Sequence, residues 1–358
     1  MKVLIACIYP PDKVPGQRFR FEQYLDFLSS KGVEIVFSNA LSETDYKLYY
    51  SKGHLYQKLI MLVKGFCKRM GEVLKASDYD VVFVYREAFF IGTSWFEKQF
   101  AKKSKLIFDF DDSIWIPTVS EGNKSLNFLK NPNKTNELIQ MSALIFAGNQ
   151  YLAYYAGQLN KNVAIIPTTI DTDIYQPKKL SNKTQVCIGW SGSFSTVPNF
   201  ESSIPVLLAI KKKYGNKVYF KLIGDGNFKN EELGIKGIPW TKENEIEELS
   251  EIDIGIMPLP DDAWANGKCG LKGLQYMALS IPTIMSPVGV NKEIIKDGEN
   301  GFLASVDSDW MDKLSQLIES AEIRKKMGEK GRETVEKNYS VNALKNLYLH
   351  HLKHLAKN

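Results

Sequence analysis

Long apolar runs are missing from this sequence. No stretch approaches the roughly 20 consecutive apolar residues that a membrane-spanning helix needs, so contact with a bilayer is expected to be peripheral at most. Cysteine and histidine are scarce, four of each in 358 residues. Cys7, Cys67, Cys187 and Cys269 lie far apart with no Cys-x-x-Cys pair, which argues against zinc fingers and a disulfide framework and for a reducing cytosol. His350 and His354 are four apart, but no acidic residue stands near them to complete a metal site. Clustered charge is missing too. The net charge of +5 is spread along the chain, with no basic tract, and no nucleic-acid partner is expected. Met1 to Ile8 starts as a leader peptide might be written, yet Tyr9-Pro10-Pro11 ends the run without a small-residue cleavage site, so it reads as a first strand.

What is present is the alternation of strand and helix on a scale too large for one ordinary core, which suggests roughly two domains. Ile252 to Met257 is short, apolar and closed by Pro258, the pattern of a buried strand in a parallel sheet. Gly267-Lys268-Cys269-Gly270 then opens a helix whose apolar residues Leu271, Leu274, Met277 and Ala278 recur at helical spacing. The first turn of a helix leaves N–H groups unpaired at its positive end, and that suits an anion. Gly267 and Gly270 let a phosphate approach, while Lys268, Lys272 and Gln275 stand where they reach a bound phosphate and a hydroxyl. Pro282 to Met285 is the next strand, followed by the turn Pro287-Val288-Gly289-Val290 and a helix carrying Glu293.

In the first half, Val3 to Ile8 is followed by a Pro-rich loop ending at Gly16 and by a helix opened by Arg18 and Arg20; the pair either serves a site or solvates a helix face. From Leu55 to Leu74 apolar residues at 55, 59, 62, 63, 66, 70, 73 and 74 oppose Lys58, Lys64, Lys68 and Arg69. Such a helix either lies on an anionic bilayer or packs its apolar side into a core. Arg86-Glu87 ends the strand Tyr79 to Tyr85, as a functional pair or a salt bridge. Lys105 to Phe108 runs into Asp109, Asp111 and Asp112, three carboxylates that raise one another's pKa and so point to a site. Val163 to Ile166 is a strand, and Thr168 to Leu180 reads as a linker. The pattern then restarts with the strand Val186 to Trp190 and a small-residue loop holding Gly192 and Ser193. Trp240 either stacks on a base or packs in a core. Helices close the chain at 324–337 and 341–355.

The run GLKGLQYMALSIPTIMSPVGVNKEIIKDGENGFL, with GWSGS and a glycine-rich first loop upstream, resembles the donor-binding segment of retaining, two-domain GT-B glycosyltransferases of family 4. The family carries two glutamates with seven residues between them where this chain has Gly267 and Gln275, and the Arg and Lys usual in the family's GWSGS loop are missing here, leaving Lys268 and Lys272. The resemblance implies an α/β, GT-B architecture of two doubly wound Rossmann-like domains facing across a cleft. Residues 1–170 would bind the acceptor, 171–340 the nucleotide sugar, and 341–358 would cross back. It implies donor contacts at Gly16, Gly192, Ser193, Trp240, Lys268, Gly270, Leu271, Lys272 and Gln275, acceptor contacts at Arg18, Arg20, Arg86 and Asp109, and catalytic roles for Asp111, Asp112 and Glu87. Gln275 would hold a ribose hydroxyl and tolerate change to Glu but not to Leu. The implied reaction moves a hexose-type sugar from a nucleotide-sugar co-substrate to a saccharide or lipid-linked saccharide, with no cofactor and no metal, although Asp109-Phe110-Asp111 spells the metal-holding Asp-x-Asp of single-domain transferases. A bacterial surface polysaccharide such as lipopolysaccharide is the implied product, made in the cytoplasm or at the inner face of its membrane. A sugar-nucleotide epimerase and a non-catalytic sugar-nucleotide sensor are the alternatives.

Overall fold

The structure is a computed structural model that describes residues 1–51, 53–90, 92–116, 131, 133–178 and 184–357, so the last two positions of the expected linker lie outside the described residues. The chain forms two compact units, Met1–Pro167 with Lys345–Asn358, and Thr168–Leu344.

Six short, apolar, β-branched runs build the sheet of the first unit: β1 (Lys2–Cys7), β2 (Glu34–Asn39), β3 (Val81–Tyr85), β4 (Lys105–Phe110), β5 (Leu144–Ala147) and β6 (Val163–Ile165). They pair in parallel in the order β2-β1-β3-β4-β5-β6. Strands such as β3 are buried at every residue, as expected where both faces of a parallel sheet are covered. Because the chain winds outward from β1 first to β2 and then to β3, the order reverses between β1 and β3. The carboxyl ends on either side of such a reversal are where ligands of open α/β sheets gather. The last helix, Val341–Lys357, contributes Tyr348 to this unit's core, stacked on Tyr24 at 4.7 Å and edge-on to Phe146 at 5.2 Å.

Two expectations change here. β4 runs two residues further than the sequence pattern indicates, so Asp109 is a buried strand residue rather than part of an exposed acidic loop. Arg69 belongs to the inner side of the helix Leu55–Leu74, where it is fully buried and donates to the carbonyls of Cys7, Ser38 and Ala88; these bonds and its ion pair with Glu72 make burying the guanidinium tolerable.

The second unit repeats the plan with β7 (Val186–Ser191), β8 (Val218–Gly224), the hairpin strands β9 (Lys229–Asn230) and β10 (Ile235–Lys236), then β11 (Ile238–Pro239), β12 (Ile254–Met257), β13 (Thr283–Met285) and β14 (Phe302–Leu303). Its parallel sheet has the order β11-β8-β7-β12-β13-β14, reversing between β7 and β12. Ile188, Trp190, Phe200, Leu222, Ile254, Ile284 and Leu314 share one core on it. Gly255 in β12 matters for packing: a Cβ there would come within 2.4 Å of the Tyr276 ring, so the glycine lets the helix Leu271–Ala278 lie close on the sheet.

Candidate functional site

In the second unit the site grows from the reversal between β7 and β12. β7 ends at Ser191, whose N–H donates to the buried Tyr276 hydroxyl at 2.7 Å. This ties the end of the strand to the helix Leu271–Ala278, and burial pushes the Tyr276 phenol up, so it stays neutral. Gly192 follows. A Cβ on it would lie 2.4 Å from the Trp190 ring and 2.7 Å from Thr196 Oγ1, while the backbone of Gly224, at φ +131°, presses against the Gly192 carbonyl from β8. Only glycine fits between these loops. Ser193 is exposed beside it, its hydroxyl 2.9 Å from that of Ser195.

The facing element is the start of the helix Leu271–Ala278. Gly270 stands in the left-handed region at φ +70°, and a Cβ there would reach Ile294 Cδ1 at 2.4 Å, so glycine sets the entry to the helix on both counts. Leu271 is the first helical residue. Lys272 extends toward the β7 loop, donating to Thr196 Oγ1 at 3.2 Å with its ammonium 4.4 Å from the centre of the Trp190 ring. The Trp190 indole N–H is buried and has no hydrogen-bond partner among the described residues. Lys268 instead lies over Trp264, 5.8 Å from the ring centre, in the turn before the helix. Asn266 braces that turn from the other side, its Oδ1 accepting from Gly289 N at 3.0 Å, where Gly289 has φ +51°.

Gln275 and Trp240, far apart in sequence, meet on a residue that sequence reasoning missed. Glu245 Oε1 accepts from Gln275 Nε2 at 3.1 Å and from Trp240 Nε1 at 2.9 Å, and Glu245 Oε2 accepts from the Tyr175 hydroxyl at 2.6 Å. Gln275 Nε2 also lies 3.3 Å from that hydroxyl. Glu245, Tyr175 and Gln275 are all buried, and Trp240 is half-buried. Arg332 holds the cluster from outside, donating to the carbonyls of Tyr175, Ala278 and Thr172. The expectation that Gln275 would accept change to Glu is therefore reversed: a second carboxylate would face Glu245 in place of an N–H donor. No hydrogen bond to Gln275 Oε1 forms within the described residues, so that atom keeps its acceptor capacity.

In the first unit, the carboxyl ends of β1, β3 and β4 collect the acidic residues. Gly16 packs so closely on Tyr85 that a Cβ would be 1.9 Å from the hydroxyl, with Asp111 Oδ2 3.4 Å away. Tyr85 donates to Asp111 Oδ1 at 2.9 Å. Arg86, in the left-handed region at φ +58°, gives Nε and Nη2 to the same oxygen at 2.9 and 2.7 Å and reaches Asp112 as well. A non-glycine residue held at positive φ is strained backbone at a strand end, kept there by these contacts and by Arg86 N donating to Asp109 O at 2.8 Å. Burial opposes ionisation of Asp111, but Arg86 and then Arg20 outweigh it and hold the carboxyl below its usual range.

Arg20 and Asp109 lie beneath this surface. They form a fully buried pair in which Nε donates to Oδ2 at 3.2 Å and Nη2 to Oδ1, with Nη1 on the Ile166 carbonyl. Burial pushes the Asp109 carboxyl up against the pull of Arg20. Repulsion among three carboxylates, which the sequence left uncompensated, is thus answered by two arginines. Arg18 lies 3.9 Å from Asp12, and Glu87 is turned to Lys134 at 2.9 Å, a cation that burial opposes and Glu87 and Glu97 keep charged.

Residues 171–334 match the family described as Glycosyl transferases group 1. An uncharacterized glycosyltransferase of Methanocaldococcus jannaschii is 33% identical over 135 residues, 33% of this chain and 36% of that protein, so the match spans about a third of that relative's length. Among solved structures, a glycosyltransferase from Rickettsia africae superposes with a TM-score of 0.69 at 15% identity, covering 100% of this chain and 98% of that one. Sucrose-phosphate synthase from Thermosynechococcus elongatus gives 0.69 at 12% identity over 99% and 98% of the two chains. The Anabaena HepE protein, solved with UDP-glucose, gives 0.67 at 13% identity over 99% and 100%. Two parallel six-stranded sheets and this likeness make the fold GT-B, and the stretch 171–334, which holds the Lys272 and Gln275 site, is the part that carries the group 1 glycosyl transferase signature.

Proposed function

We propose that the chain is a retaining glycosyltransferase that moves a hexose-type sugar from a nucleotide diphosphate donor to a hydroxyl of a saccharide or lipid-linked saccharide, in the making of a cell-surface polysaccharide. The observation that carries this reading is the position of Lys272, whose ammonium lies 3.2 Å from Thr196 Oγ1 and joins the loop after β7 to the start of the helix Leu271–Ala278. Sugar transfer breaks the bond between the anomeric carbon and the diphosphate, and the electron pair stays on the departing phosphate oxygen. Free N–H groups at a helix start together with a lysine stabilise that charge without a metal. Gln275 Oε1 accepts from a ribose hydroxyl, with Glu245 fixing which way the carboxamide faces. Trp240, held by the same carboxylate, offers its ring to the base. The group 1 match over this unit and the UDP-glucose bound to the Anabaena protein of the same fold support a nucleotide-sugar donor. In the first unit the acceptor falls to the exposed side of the Arg86, Asp111 and Asp112 cluster, supported from below by Arg20 and Asp109.

The test is to incubate a panel of nucleotide sugars with and without saccharide acceptors and follow the products. Glycosylated acceptor with the anomeric configuration of the donor supports the reading. A change of the sugar without acceptor would make the protein an epimerase, and binding without turnover in any acceptor screen would make it a sensor.

A further inference from the structure

The Gln275 carboxamide is buried, 4% exposed, and its partners allow it only one way round. Nε2 donates to Glu245 Oε1 at 3.1 Å, an oxygen that also accepts from the Trp240 indole at 2.9 Å. The second N–H lies toward the Tyr175 hydroxyl at 3.3 Å, which has given its single proton to Glu245 Oε2 at 2.6 Å and so can only accept. Turning the amide over would set its oxygen against two acceptors. Both N–H groups of Gln275 are therefore spent inside the protein, and Oε1 is what remains for a ligand.

The neighbours say what kind of ligand. Lys272 stands three residues earlier on the same face of the helix Leu271–Ala278, beside the loop after β7, and Trp240 hangs from the carboxylate that orients Gln275. A cation, a single acceptor and an aromatic ring in this arrangement suit the phosphates, the pentose hydroxyls and the base of a nucleoside diphosphate. A carboxylate in place of the carboxamide would offer two charged oxygens, one for each pentose hydroxyl, and losing either hydroxyl would leave a buried charge short of a donor. One neutral oxygen asks for one hydroxyl. Where one of the two is absent, the other takes the bond.

We propose that the donor site does not select ribose over deoxyribose, so that its substrates include sugars carried on 2′-deoxyribonucleoside diphosphates, thymidine diphosphate among them, as well as those on ribonucleotides. Gln275 sets this tolerance through its single free acceptor, and Glu245 and Tyr175 act through it by fixing which atom faces the pentose. The inference rests on the nucleotide-sugar reading of this unit and adds to it the class of pentose accepted.

The experiment is calorimetric titration of the whole protein with UDP and its 2′-deoxy, 3′-deoxy and 2′,3′-dideoxy forms, and with the same four forms of ADP, GDP and CDP. For the base that binds, each monodeoxy form should bind within about threefold of the ribonucleotide, and the dideoxy form at least about tenfold more weakly, the scale of one hydrogen bond. Gln275→Leu, its fold checked by melting temperature, should bind the ribonucleotide about as weakly as the dideoxy form, with no difference left between them; if that variant does not fold, the wild-type series decides alone. A loss of about tenfold or more for either monodeoxy form overturns the proposal while leaving the nucleotide-sugar reading intact. A dideoxy form that binds as well as the ribonucleotide overturns it too, because no hydroxyl would then be held, and so does a folded Gln275→Leu that still discriminates. Failure of all four ribonucleotides to bind would remove the nucleotide-sugar reading itself, and this inference with it.

Discussion

Gln275 donates its side-chain N–H to Glu245 Oε1 at 3.1 Å, in a pocket where both residues are buried and Tyr175 completes the carboxylate's shell. The pair makes the carboxamide a structural requirement before any ligand arrives. Gln275→Glu should destabilise the protein by about 3 kcal/mol at neutral pH, the scale of an uncompensated buried charge. The two carboxylates would raise each other's pKa, so the loss is present at neutral pH and shrinks as pH falls and the pair takes up one proton. Urea denaturation of both proteins at pH 7 and pH 5 measures this. Equal stability at pH 7 would show that the pair is not as described.

Asp111 carries a second pH effect. Its carboxyl is held below the usual value near 3.8 by Arg86 once the opposing effect of burial is overcome. A lowered carboxyl pKa contributes stability above the unfolded value, and that contribution disappears as pH falls through the folded one. Asp111→Asn should thus cost about 1–2 kcal/mol at pH 7, reduced because Arg86 is a third exposed, and the gap from wild type should close below pH 4. A gap that stays constant from pH 7 to pH 3 would contradict the assignment.

These two residues also show what sequence could and could not reveal. The extent of the helix Leu55–Leu74 and the glycine turn at Gly270 were legible in local spacing, but the strand read from Ile252 begins at Ile254, and the helix faces the core with Met61, Gly65, Arg69 and Val73 while Leu55, Leu59, Val63, Phe66 and Leu74 are exposed. Glu245 was not, because its buried partners Gln275 and Tyr175 lie 30 and 70 positions away and nothing in a short polar helix marks one glutamate as buried. Arg20 and Asp109 are 89 positions apart, so the sequence showed a crowded acidic loop without the cation that neutralises its first member. The helix Glu43–Tyr50, started by the Ser42 and Asp45 capping box, has no buried residue and so no apolar period to read.

Two glycines should respond to the same change in opposite ways. Gly192→Ala forces a methyl within 2.4 Å of Trp190, a rigid neighbour, and should cost about 1–3 kcal/mol. Gly71→Ala, in a helix with nothing within 4 Å, should stabilise by about 0.5–1 kcal/mol through the unfolded chain. Melting temperatures compare them directly; a stabilised Gly192→Ala would refute the close packing of Gly192 on Trp190 and Thr196.

On the proposed reading, in which the helix start and Lys272 oppose the charge of the departing diphosphate, transfer should persist in EDTA. Loss of activity in EDTA with recovery in manganese or magnesium would move the donor to the Asp111 and Asp112 cluster.

Calorimetric titration of wild type and Lys272→Ala with a panel of nucleotide sugars bears most directly on the account. One nucleotide sugar should bind the wild type, and the variant should bind it about 1.5–3 kcal/mol more weakly, roughly a 10- to 150-fold rise in Kd, the scale of a hydrogen bond to a charged group. Unchanged affinity in a folded Lys272→Ala protein would contradict the placing of the donor diphosphate at the start of the helix Leu271–Ala278.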